Sequence, residues 1–152
     1  KENLIAAFPS KGSGPKNPFA APVFDSAGNL YATSNLGGTS DEGTVFELSP
    51  NADGGWTPKI LFSFGNTPVD GTLPYSNLVF DASGNLYGTT SGSTVFKLTP
   101  QSGGTWSATN YSLSSKRAYI NAGVILDSSG NIYGTAAGGG AFLFGMVFEI
   151  TP

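Results

Sequence analysis

Asp25-Ser-Ala-Gly-Asn-Leu-Tyr-Ala-Thr33 occurs twice more in this chain, as Asp81-Ala-Ser-Gly-Asn-Leu-Tyr-Gly-Thr89 and as Asp127-Ser-Ser-Gly-Asn-Ile-Tyr-Gly-Thr135. The copies lie 56 and then 46 residues apart. A second block follows each one: Thr44-Val-Phe-Glu-Leu-Ser-Pro50, Thr94-Val-Phe-Lys-Leu-Thr-Pro100 and Met146-Val-Phe-Glu-Ile-Thr-Pro152. A third block opens on tryptophan, over 56–64 in the first copy and 106–113 in the second. Self-similarity at this period is the signature of a repeat architecture.

Working outward, each block has a local physical reading. The apolar residues before each Asp (Val23-Phe24, Leu78-Val79-Phe80, Val124-Ile125-Leu126) read as a short buried strand. Asp-x-x-Gly-Asn then reads as a tight hairpin turn. Asp25, Asp81 and Asp127 can accept backbone N–H bonds within it, and Gly28, Gly84 and Gly130 can adopt positive φ, each followed by Asn29, Asn85 or Asn131. The Leu/Ile-Tyr run is the second strand, the Val-Phe run the third, ended by proline, and the Trp run the fourth. No window carries helical periodicity with caps.

Four short antiparallel strands in roughly 50 residues is the size of one β-propeller blade. The expected fold is therefore all-β: three blades over 18–64, 74–113 and 121–152, the third lacking its outer strand. The missing strand is expected at the other end of the chain. At the 56-residue offset, Leu4 and Ile5 fall on Ile60 and Leu61, and Phe8 on Phe64, so residues 1–8 read as an outer strand without a blade of their own. Three blades are too few to close a ring of the usual four to eight or so. The economical expectation is that Leu4, Ile5 and Phe8 pair with Val147, Phe148 and Ile150 of another copy, or of an adjoining repeat in a longer chain. Two chains would then close a six-bladed ring; an unclosed rotation would give a filament.

Composition narrows the function. Charged residues are 11% of the chain, whereas Ser and Thr together number 32, a surface suited to many turns and short strands. The net charge of −3, with only Lys116-Arg117 adjacent among the basic residues, leaves no footprint for nucleic acid. No apolar stretch is long enough for a spanning helix, so membrane insertion is not expected. The chain has no cysteine and no histidine. That excludes disulfides, thiolate and imidazole metal sites, and histidine-based catalytic pairs. No cofactor is expected, and no catalytic residue.

The run Asp-x-x-Gly-Asn-Leu-Tyr-Gly-Thr-Thr, followed by a Gly-rich loop and Thr-Val-Phe-Lys-Leu-Thr-Pro, is sharpest over residues 78–100 and resembles the GloVer tandem repeat. The first copy departs from it with Ala32 in place of Gly, the third with Met146 in place of Thr and an apolar loop. The resemblance implies a bacterial exported or surface protein and implies no catalytic residue. Low charge and abundant Ser/Thr point the same way, towards an extracellular location.

The remaining candidates are local. Glu47, Lys97 and Glu149 hold equivalent positions and are candidates for alternating-sign contacts between neighbouring blades. Asp41-Glu42 forms an acidic pair in the first Gly-rich loop. Phe142-Leu143-Phe144, in the third, is an apolar run costly to leave in water, which packs either on another subunit or back over the ring. Asn110-Tyr111-Ser112 is the sole Asn-x-Ser/Thr pattern, making Asn110 a candidate glycosylation acceptor. The expected function is a non-enzymatic, self-assembling structural module. The alternative is a carbohydrate-binding propeller, which calls for aromatic residues at equivalent loop positions. Phe19 and Tyr75 match there, while the third copy offers Asn121 or, with a shifted gap, Tyr119.

Overall fold

The computed structural model describes residues 1–115 and 118–152; the basic pair at 116–117 lies outside them. The twelve strands are β1 (Val23–Phe24), β2 (Leu30–Ser34), β3 (Thr44–Pro50), β4 (Trp56–Ser63), β5 (Thr72–Pro74), β6 (Val79–Phe80), β7 (Leu86–Ser91), β8 (Thr94–Pro100), β9 (Trp106–Ser112), β10 (Ile125–Leu126), β11 (Ile132–Ala136) and β12 (Met146–Ile150). They form three antiparallel sheets, and none closes on itself. Sheet I runs β1-β2-β3-β4, sheet II β5-β7-β8-β9 with β6 also on β7, and sheet III β10-β11-β12.

The register is the same in each sheet. Tyr31 lies opposite Glu47, Tyr87 opposite Lys97 and Tyr133 opposite Glu149, so the repeated residues fall on repeated faces. Side chains alternate along a strand. One face therefore carries Leu30, Ala32, Phe46 and Leu48 in sheet I, and Leu86, Gly88, Phe96 and Leu98 in sheet II. The opposite face carries Tyr31, Thr33 and Val45, or Tyr87, Thr89 and Val95. The Tyr/Val face of sheet I packs on the Leu/Phe face of sheet II, around Val45, Phe64, Leu86, Phe96 and Leu98. The Tyr/Val face of sheet II packs in the same way on Ile132, Phe148 and Ile150 of sheet III. Phe64 and Phe96 meet edge-to-face with ring centroids 5.0 Å apart, and both are fully buried. At Gly88 a Cβ would sit inside the Phe96 ring, and at Gly134 inside the Phe148 ring. The glycine of the second strand therefore makes room for the phenylalanine of the third.

One expectation needs correction, the pairing of charges between sheets. The pairing of residues 1–8 with another copy is not a contact a single chain can make, and within the chain they form no strand. Instead Ala6 and Phe8 lie against the Leu/Phe face of sheet I, with Phe8 5.1 Å from Phe46 in an edge-to-face contact. Glu47, Lys97 and Glu149 do not pair between sheets. Glu47 accepts from Ser49, the Lys97 ammonium lies over the Tyr87 ring, and Glu149 accepts from the Tyr133 hydroxyl, each partner being within the same sheet.

Phe96 touches both sheets that form the first interface. Phe96→Ala is expected to cost about 3–5 kcal/mol, measured by urea unfolding at pH 7. A loss under about 1 kcal/mol would show that this interface does not hold the fold.

Candidate functional site

The three Asp turns form a row along one rim. Asp25 and Asp81 line one open cleft of about 500 Å³, and Asp81 and Asp127 the next, of about 510 Å³. Each carboxylate is saturated from within its own turn. Asp81 Oδ1 accepts from the backbone N–H groups of Ser83 and Asn85, both at 2.9 Å. Its Oδ2 accepts from Asn85 Nδ2 at 2.6 Å and from the Tyr87 hydroxyl at 3.1 Å. Asp25 and Asp127 repeat all four bonds. Gly28, Gly84 and Gly130 turn the chain at φ of 86°, 81° and 84°. Burial pushes the Asp25 and Asp81 carboxyls up, yet the hydrogen bonds together outweigh it and hold both below the usual aspartate value. At Asp127 the Asn131 side chain is the foremost cause of the same lowering. Burial and the bond to Asp81 push the Tyr87 hydroxyl up to about 12. With four donors bound to each, these carboxylates lock their own turns.

Other candidates are similarly occupied. Asp41 Oδ1 accepts from Lys16 Nζ at 2.7 Å and from the Gly37 N–H. Asn110 Nδ2, the atom a glycan would be joined to, donates to the Val69 carbonyl at 2.9 Å. Phe19 and Tyr75 are exposed neighbours with ring centroids 5.8 Å apart. The third copy does not complete the series. Tyr119 O accepts from Ala137 N as Asn17 O does from Asn35 N, which places Tyr119 level with Asn17 and leaves Asn121 at the aromatic position. Among the described residues, no His/Cys/Asp/Glu group has metal-binding geometry, and no helix is long and apolar enough to cross a membrane.

What remains open is the outer side of sheet III. Val45 and Val95 are completely buried, but Val147, their counterpart, is 79% exposed. Ile125 beside it is 69% exposed. Thr33 and Thr89 each donate to a carbonyl of the following repeat, Ser76 and Ala122, at 3.0 Å; Thr135, their counterpart, is exposed. Among the described residues the outer edge of β12 carries no partner strand, whereas β3 is paired by β4 and β8 by β9. Of the predicted assembly residues, Val147, Leu4 and Phe142 to Phe144 are exposed, and Ile5 is partly so. Phe148 and Ile150 instead turn their side chains into the interface with sheet II, leaving only backbone for a new partner. Of this Tyr/Thr/Val face the sequence reading named Val147 but not Ile125 or Thr135, because the alternation reads as the core of any strand. Only the count of sheets shows that one such face is uncovered.

Since a native pKa below the roughly 3.9 of a free aspartate stabilises the fold above that pH, the contribution of the three turns is full near neutrality. It is lost as the pH falls through the lowered native values. Melting temperature is therefore expected to drop below about pH 4. Asp81→Asn, which turns an amide towards Asn85 Nδ2 and the Tyr87 hydroxyl, should cost about 1–3 kcal/mol at pH 7 and flatten that acid limb. An acid limb of unchanged steepness in the variant would remove Asp81 from the account.

No curated protein matches this chain. A family profile does, over residues 2–152, and its span takes in all three Asp turns and all three sheets. The chain belongs to the Gloeobacter/Verrucomicrobia repeat family.

Proposed function

We propose that this chain is a non-enzymatic structural module of the cell exterior that assembles with its own kind into a β-propeller-like ring or filament. The observation that carries the reading is the exposure of Val147, in a position completely buried in both other sheets. A side chain of this size gains roughly 1.5–3 kcal/mol on burial. An uncovered apolar face beside an unpaired strand edge is a surface that other chains will find.

The partner surface is present on the same molecule. The Leu/Phe face of sheet I is the face that sheets II and III offer to their predecessors. Phe8 already stands against Phe46 as Phe64 stands against Phe96, with centroids 5.1 and 5.0 Å apart. Residues 4–8 thus hold the place of an outer strand belonging to a preceding blade. When a second copy brings β12 alongside, the register of β3 with β4 sets Ala6 opposite Val147 and Leu4 opposite Phe148. Thr135 then donates to the Ala20 carbonyl of that copy, as Thr33 does to Ser76. Catalysis has no foothold in this reading, because the rim carboxylates are engaged by their own turns. A secondary reading, glycan binding, rests on the exposed Phe19–Tyr75 pair; binding to a glycan array that is lost in Tyr75→Ala would favour it.

The test is the solution mass of the 152-residue chain by light scattering, with electron microscopy of large species. A dimer or a filament supports assembly. Val147→Lys, which puts a charge on the open face, should weaken association at least tenfold. A monomer at every concentration would overturn the proposal.

A further inference from the structure

Resting on the self-assembly reading, we infer that the Phe142-Leu143-Phe144 loop is the specificity element of the contact, and that it seats in the cleft beside Pro9 and Pro18 of a second copy. The chain contains the template. A shift of 102 residues lays the third Gly-rich loop on the first. Gly37, Gly38, Asp41 and Gly43 have φ of 94°, 80°, 58° and 102°; Gly139, Gly140, Leu143 and Gly145 have 79°, 73°, 63° and 117°. The same bond closes both, from Gly43 N to Gly37 O at 3.0 Å and from Gly145 N to Gly139 O at 3.3 Å. Phe142 thus stands where Ser40 does, Leu143 where Asp41 does, and Phe144 where Glu42 does.

The first loop is not free in solvent. It packs on the segment leading into sheet II. Leu73 N donates to Glu42 O at 2.8 Å, Thr39 and Ser40 donate to Asn66 Oδ1, and Pro74 fills the space a Cβ at Gly43 would take. That receiving segment has its own counterpart 56 residues earlier. Pro9 matches Gly65, Ser10 matches Asn66, and Pro18 matches Pro74; Asn17 has φ 52° where Leu73 has 53°. Among the described residues, none sits on it as Glu42 sits on the later segment. A cleft of about 520 Å³ is open there, lined by Phe8, Pro9, Lys16, Asn17, Pro18 and Leu36, among others.

The two unmatched halves fit in chemistry as well as in backbone. The first loop is polar and meets Asn66. The third is apolar, with Phe142 and Phe144 86% and 94% exposed, and the cleft offers Phe8 and two prolines. In the docked pair, Asn17 N donates to the Phe144 carbonyl of the other copy and Pro18 covers Gly145, where a Cβ would come nearest the backbone of Ala136 and Ala137 with no proline against it. The exchange of polar for apolar residues between the two loops distinguishes the contact between copies from the contact within one.

The chain has no cysteine, so engineered pairs report proximity without interference. Ser10→Cys in one copy and Ala141→Cys in another should form a disulfide on mixing under mild oxidation, as Thr39→Cys with Asn66→Cys should within one chain. Ser10→Cys with Ser128→Cys should not. Phe144→Ser should raise the dissociation constant at least tenfold while leaving the urea midpoint of the dilute chain unchanged. Association of the wild type without the 10–141 crosslink, and undiminished by Phe144→Ser, would overturn the loop contact and leave self-assembly standing. A wild type that never associates would overturn both.

Discussion

Face-to-face burial of one sheet on the next is the interaction on which the rest of this molecule depends. Each sheet is a two-sided object. A Leu/Phe face meets the sheet before it and a Tyr/Thr/Val face meets the sheet after it. A single four-stranded sheet cannot bury both faces, so repeats of this size are stable only in company. Within the chain two such interfaces form, each sealed by a threonine that donates across the gap to the next repeat. The residues at these interfaces are completely or almost completely buried, which is why the identical positions in sheet III stand out.

The Asp turns do a different task. They fix the chain reversal that sets the register of the first two strands, so that the alternating residues fall on the correct faces. A one-residue slip would exchange the two faces of the strand, turning Tyr87 towards sheet I and Leu86 towards sheet III. Four neutral donors per carboxylate make the turn self-sufficient, independent of neighbouring sheets. This independence explains how three turns can share one geometry while the Gly-rich loops beside them differ in length and polarity.

Much of this was legible in the sequence. Near-identical turns at repeat spacing gave the sheets, their strand order and the positive φ of the turn glycines. What was not legible had physical causes. Strand β5 owes its bonds to the end of β7 rather than to any pattern of its own three residues. Leu4 to Phe8 carries a strand-like sequence, but within the chain Ala6 and Phe8 lie against the Leu/Phe face of sheet I and not along the unpaired edge of β12. Equivalent charges at 47, 97 and 149 looked like partners because they share a register position. Side-chain length instead lets each reach a nearer group in its own sheet. The site was half legible. Phe142 to Phe144 declared itself by hydrophobicity, whereas its receptor is a set of backbone angles and prolines that becomes visible only when one segment is laid on another.

The rim of Asp turns has a consequence for electrostatics. Amides and a phenol bind these carboxylates without neutralising them, so every repeat adds one fixed negative charge to the same edge. Successive clefts bring Asp25 to Asp81 and Asp81 to Asp127. Repulsion along this row of like charge acts over a Debye length, about 10 Å at 0.1 M salt. Dissolved ions are therefore a silent participant in the stacking of the three sheets, screening one carboxylate of the rim from the next.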